Sequence, residues 1–282
     1  MSAQTPIEIR RRLKARAAEL GLDFQQAVLY YAMERFLFRL SQTPWSDRLV
    51  VKGAVMLRVW DAPVARPTRD IDFLGRVDNS PEAIRSIVAE CLAIQLDDGL
   101  AFESEIHVVP ITVEDRYPGV RVKVAGDLGG ARFVLRLDVG IDDAVVPDPG
   151  WVDYPVLLDD EAPRILAYQP ATAIAEKFQA MIEIGLANSR MKDYHDIWML
   201  SRTLEFDGQD LADVSAPRHG AASRDARGTH ARIHRAAGDV TDVGHLSQGV
   251  LGSVQRSTRG TTRACRCHRN VRDACCHRGA RW

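Results

Sequence analysis

The chain has 282 residues, of which 46% are hydrophobic, 27% charged and 7% aromatic, with a formal net charge of −1. That is enough chain for one large domain or two modest ones around a substantial core. No apolar run reaches the roughly 20 residues that cross a bilayer, which argues against an integral membrane protein, and the near-neutral charge by itself points to neither nucleic acid nor a membrane surface.

Taken in chain order, residues 7–19 form an amphipathic helix. It carries basic residues with no apolar core or small-residue cleavage site after them, so it reads as part of a cytoplasmic protein and not as a signal peptide. Residues 23–40 form a second helix, in which Phe24, Ala27, Val28, Tyr31, Phe36, Phe38 and Leu40 recur at helical spacing. Residues 41–47 have turn chemistry around Pro44. Arg48 to Lys52 is short and β-branched, a buried-strand pattern, and Gly53 to Val59 resumes helical character. Residues 69–74 alternate as a strand, and Ser80-Pro81-Glu82 opens a helix that runs to about Leu96 with Ser80 at its N-cap. Strands are expected at 105–112, 119–125 and 131–139, the last two joined by the hairpin signal at 126–130. A link rich in Pro and Asp covers 142–163, and a mostly helical segment runs from Pro170 to about Leu204. Helices, a mixed middle, then helices predict an α+β (mixed α/β) body.

From Asp207 onward the composition changes abruptly. This tail holds 13 Arg and 7 Asp, six of the eight His and four of the five Cys, with no Lys, Glu, Phe or Tyr. It carries +6, so the first 206 residues carry −7 from 24 basic and 31 acidic residues. With little apolar surface to offset ordering entropy, the first expectation for it is disorder. An RNA-contacting arginine tail and a zinc site from Cys265, Cys267, His268, Cys275, Cys276 and His277 are alternatives, although the cysteine spacing is not the usual paired one. The composition shift suits an out-of-frame translation of a GC-rich gene best. The body retains only Cys91, in keeping with the cytoplasm.

Two stretches carry chemistry. Lys52-Gly53-Ala54-Val55-Met56-Leu57 is a strand end, a glycine and a helix start, where free backbone N–H groups suit phosphate and Lys52 adds a charge. Thr68-Arg69-Asp70-Ile71-Asp72 places Asp70 and Asp72 on one face of a strand while Ile71 points inward. Two converging carboxylates repel unless a cation lies between them, and their hard oxygens suit Mg²⁺, which would align a nucleoside triphosphate for in-line displacement. Each pattern alone is common in turns and solvated strand ends. Their proximity, 16 residues from Gly53 to Arg69, is what gives them weight.

Together these residues resemble the AbiEii-type nucleotidyltransferases, toxins of bacterial toxin–antitoxin and abortive-infection systems within the DNA polymerase β-like superfamily. Lys52, Gly53 and Leu57 fit the first motif, and Arg66, Thr68, Asp70 and Asp72 the second. Glu176-Lys177 is similar to the third, and Arg190, Lys192, Asp193 and Asp196 to the fourth. Ala54 departs from the family's usual second glycine, which keeps a backbone N–H but excludes a hydroxyl contact. The resemblance spans about residues 25–205. It implies a polymerase β-like core with a mixed sheet, and with the element order and the composition break this divides the chain into N-terminal helices at 1–44, the core at 45–160, a helical part at 161–206 and the disordered or frameshifted tail at 207–282. It further implies metal binding by Asp70, Asp72 and a third carboxylate, for which Asp138 is the candidate. Lys52, Gly53, Ala54, Arg66, Thr68, Arg69 and Lys192 would contact nucleotide. Lys177 would meet the triphosphate, and Asp193 and Asp196 would orient the nucleotide or act as base. The implied reaction is Mg²⁺-dependent transfer of a nucleoside monophosphate from an NTP to an acceptor hydroxyl such as a tRNA 3′ end, with a cognate antitoxin as partner. The alternatives are a non-catalytic nucleotide-binding module and an inactive frameshifted remnant.

Overall fold

In a computed structural model the chain divides into two units, Met1–Pro217 and Arg218–Trp282. The structure describes residues 4–60, 67–111, 119–140, 145, 147–184 and 190–206. The expectations for the tail therefore lie outside the described residues.

Helix α1 (Pro6–Glu19) starts with a capping box: the Glu8 N–H donates to Thr5 Oγ1 and the Thr5 N–H donates to the Glu8 carboxylate. Helix α2 (Phe24–Ser41) starts at Asp23, whose carboxylate accepts from the Gln25 and Gln26 N–H groups. The sequence predicted an amphipathic helix here, but α2 is buried almost all round from Ala27 to Leu40. Its polar residues therefore need internal partners. Arg39 grips Asp98 through two bonds of 2.5 and 3.3 Å, and Glu34 accepts the Leu157 N–H at 3.0 Å.

Strand β1 (Leu49–Lys52) leads into a six-residue 3-10 helix (Gly53–Arg58). Strand β2 is Asp70–Gly75, and α3 (Pro81–Ala93) is capped by Ser80. Strands β3 (Leu100–Ile111), β4 (Gly119–Leu128) and β5 (Ala131–Gly140) are longer than predicted. The β4–β5 pairing runs to Leu128 and Ala131, so only Gly129 and Gly130 are left to turn. Both have positive φ, as the favoured two-residue hairpin requires. A Cβ on Gly129 would also lie 2.9 Å from the Pro6 carbonyl oxygen.

The sequence read 142–163 as a link, yet it contains β6 (Gly150–Asp153), and β7 (Arg164–Ala167) follows it. Both are four residues long, too short to show a period. The expected helical segment from Pro170 resolves into α4 (Pro170–Ile184) and α5 (Met191–Thr203).

The seven strands form one mixed sheet in the order β3-β4-β5-β2-β1-β7-β6. Strand β2 runs parallel to β5 and antiparallel to β1, and β1 runs parallel to β7. The architecture is α+β, as the element order predicted. Helices α1, α2 and α3 pack on this sheet, sharing a core that includes Leu13, Tyr31, Phe36, Ile71, Val122, Leu135 and Leu137. Along β4 and β5 burial alternates, which leaves Arg121, Lys123, Arg136 and Asp138 on the opposite, open face.

Candidate active site

The site forms where β1 ends and β2 begins. Gly53 has φ +75°, a conformation that favours glycine. A side chain there would overlap the Asp72 carboxylate. Antiparallel pairing sets Lys52 opposite Asp72 and so presses the carboxylate against the turn. Gly53 thus admits a carboxylate as well as shaping the turn. The short 3-10 helix after it is buried, with Ala54 and Leu57 packed against Met199 and Leu200 of α5. The Ala54 methyl fills this apolar contact, which gives the departure from glycine a packing role.

Asp70 and Asp72 project from the same face of β2, and Ile71 between them is fully buried. Parallel pairing with β5 puts Asp70 beside Arg136 and Asp72 beside Asp138. The Arg136 Nη1 lies 3.7 Å from Asp70 Oδ1. Both oxygens of Asp138 are held by Arg121, from Nε at 2.8 Å and Nη2 at 2.6 Å. Burial, and then the charge of Asp138, push the Asp72 carboxyl up to about 6, against the pull of Lys52. Lys52 pairs with Glu176 of α4 and sits 5.4 Å from the centre of the Tyr168 ring.

Beside Glu176, Lys177 turns to the other helix. Its Nζ lies 3.2 Å from Asp193 and 2.9 Å from Asp196 of α5. Both aspartates are buried, and Arg190 Nε adds a 3.0 Å contact to Asp193. His195 Nδ1 lies 3.7 Å from Asp196, and Lys192 is exposed. Thr68 is buried, donating its hydroxyl to the Asp70 carbonyl. Its backbone is held by α2, through Tyr30 and Gln26. Arg69 is exposed, and Arg66 lies outside the described residues.

The fold therefore joins Lys52, Gly53, Asp70, Asp72 and Asp138 in one cluster, and Lys177, Asp193 and Asp196 in an adjoining one. It adds Glu176, Arg121, Arg136 and Tyr168, which sequence reasoning did not select as site residues. Glu176 carried one signal, its place beside Lys177. Arg121 pairs with Asp138 only through a cross-strand register that no local pattern contains.

Among the described residues, no group of three His, Cys, Asp or Glu side chains converges closely enough to hold a metal ion. The Asp70/Asp72 pair nonetheless fits Mg²⁺ chemically. Asp70 Oδ1 is a buried oxygen without a hydrogen-bond partner, and Mg²⁺ ordinarily takes one or two carboxylates and completes its shell with phosphate and water.

Two aspartates on a mixed sheet beside a glycine turn have the chemistry of a phosphate- and cation-binding class of site. The chain matches the family model described as "Nucleotidyl transferase AbiEii toxin, Type IV TA system" over residues 35–247, and it belongs to that family. Membership makes a nucleotide the expected substrate and an antitoxin the expected partner. No curated protein matches the chain. Among solved structures, JHP933 from Helicobacter pylori is similar at 20% identity and a TM-score of 0.46, over 68% of this chain and 73% of that one. A second H. pylori protein, with nucleotidyltransferase in its name, is similar at 20% identity and a TM-score of 0.45, over 68% and 75%. Among the described residues no helix is long and apolar enough to cross a membrane.

Proposed function

We propose that this protein is a cytoplasmic, Mg²⁺-dependent nucleotidyltransferase that moves a nucleoside monophosphate from an NTP to the 3′ hydroxyl of an RNA such as tRNA, and is neutralised by its antitoxin. The observation that carries this reading is the fit of the Asp72 carboxylate into the space that Gly53 leaves open. A turn and an acidic strand 17 residues apart in sequence (53 to 70) are thereby built as one object.

Asp70 and Asp72 would hold Mg²⁺, which when bound neutralises charge on the triphosphate. The acceptor hydroxyl attacks the α-phosphorus, a new P–O bond forms, and the bond to pyrophosphate breaks. Asp138 is the carboxylate nearest the pair in register and would serve as the third metal carboxylate, while the hydroxyl proton passes to solvent water. Lys52, at the mouth of the turn, would meet the phosphates. Lys177 would stabilise the departing pyrophosphate. Asp193 and Asp196, buried against Lys177, act here as positioning residues for that ammonium and not as a base exposed to substrate.

Protein, Mg²⁺ and each labelled NTP are incubated with total tRNA. Transfer of label by the wild type, lost in an Asp70→Ala, Asp72→Ala double variant, is the expected result. Equal labelling by both, or by neither, would remove the enzymatic reading.

A further inference from the structure

On the open face of the sheet the strand register aligns four charged side chains in one row: Lys52, Asp72, Asp138 and Arg121, on β1, β2, β5 and β4. The row reads plus, minus, minus, plus. A second row, one step along the strands, holds Asp70, Arg136 and Lys123. Every acidic position thus has a cation of the protein beside it.

The contacts are unequal. Arg136 stands 3.7 Å from Asp70, beyond hydrogen-bond range. Arg121 instead occupies both oxygens of Asp138 with two short, parallel bonds. Those are the lone pairs a metal ion would use. The exposures are unequal too: the Arg121 side chain is 42% exposed and that of Asp138 only 17%. The guanidinium can swing into solvent while the carboxylate stays where the strand holds it.

We propose that Arg121 is an internal competitor for the cation at Asp138, holding this carboxylate out of the metal site until a divalent ion displaces it. The inference deepens the metal-dependent transferase reading and rests on it for the identity of the site. Once released, the guanidinium lies on the same open face as the aspartates, within reach of phosphate oxygens, which it pairs bidentately. Arg121 is in this sense a positioning residue whose partner changes from Asp138 to substrate phosphate.

The test uses Mn²⁺ alone, with no nucleotide and no acceptor, titrated into the full chain by electron paramagnetic resonance. Arg121→Gln should bind Mn²⁺ at least about tenfold more tightly than wild type, since a charge-assisted pair no longer has to be broken. Arg121→Lys keeps the charge but not the fork and should show a smaller gain. It also serves as the readout if the Gln variant fails to melt cooperatively. Lys123→Gln makes the same change in net charge on the same face without touching Asp138, and should gain little. Adding Asp138→Asn to Arg121→Gln should cancel the gain. No gain in either Arg121 variant, an equal gain in Lys123→Gln, or a gain that survives Asp138→Asn would each overturn the proposal. Because no NTP is present, a chain that passes this test yet transfers no label would refute the transferase reading and leave the competitor standing.

Discussion

Gly53 shows how much a single residue decides. Its φ of +75° costs other L-residues about 1–2 kcal/mol, and its missing side chain is the space the Asp72 carboxylate occupies. Gly53→Ala should therefore lower stability by at least about that amount, measured by denaturant unfolding, and should abolish nucleotide transfer by displacing Asp72. A variant that loses stability but keeps full transfer would show that the fit of Asp72 does not matter to the chemistry. Lys177 poses the opposite problem, a cation shared by two buried carboxylates. Removing it as Lys177→Met takes the shared ammonium from two buried carboxylates and leaves Arg190 to balance Asp193. That should cost about 3–5 kcal/mol, against a small loss for Lys177→Arg. Urea unfolding of the two variants separates a structural from a purely catalytic lysine.

At the scale of elements, the site depends on helices that contribute few reacting groups. Helix α5 presses Met199 and Leu200 onto Ala54 and Leu57 of the 3-10 helix, so it holds the turn from behind while placing Asp193 and Asp196 under Lys177. Leu200→Ala, at a position with no exposure, should cost about 2–5 kcal/mol and reduce transfer although residue 200 touches no substrate. Loss of amide-exchange protection in α5 and in residues 53–58 together would demonstrate the coupling. Protection lost in α5 alone would deny it. Helix α2 grips the other side: Tyr30 and Gln26 hold the Thr68 backbone, and Arg58, at the end of the 3-10 helix, stacks 4.7 Å from the Tyr30 ring centre.

Across the whole molecule, the most consequential buried group is Glu34. It is fully enclosed on α2, accepting the Leu157 N–H, and burial, opposed chiefly by Arg58, pushes its carboxyl up to about 8 from an ordinary 4.5. The sign follows from which state holds the proton. Between about pH 4.5 and 8 the folded chain keeps a proton that the unfolded chain has released. Stability from this group is thus greatest at the low end and falls as pH rises, by up to about 1.4 kcal/mol per pH unit, then levels above 8. Glu34→Gln retains an oxygen for the Leu157 N–H and should flatten that slope in melting curves taken from pH 5 to 8. An unchanged slope would mean that Glu34 is ionised in the fold.

Local signals were legible wherever a residue acts on its own neighbours. Ser80-Pro81 opened α3, the glycine pair closed the β4–β5 hairpin, and Asp70-Ile71-Asp72 showed its two faces. Strands β6 and β7 were not legible, because four residues show no period and their identity as strands comes from pairing. The burial of Glu34, Arg35 and Arg39 was hidden too, since charged residues on a helix ordinarily read as its wet face and partners distant in sequence, among them Asp98, the Ile94 and Glu161 carbonyls and the Leu157 N–H, reverse that.

The sequence by itself determined the α+β order of elements, the pairing of a glycine turn with an Asp-x-Asp strand, and the break at Asp207 that splits a net charge of −1 into −7 and +6. Periodicity, turn chemistry and charge are properties of residues close together in the chain. Only the tertiary structure decided that Asp138 stands beside Asp72 under the grip of Arg121, and that Glu176 pairs with Lys52. It also decided that Asp193 and Asp196 turn inward to Lys177. Those contacts join residues up to 124 positions apart, and sheet register, which no local pattern encodes, sets which of them meet on the open face.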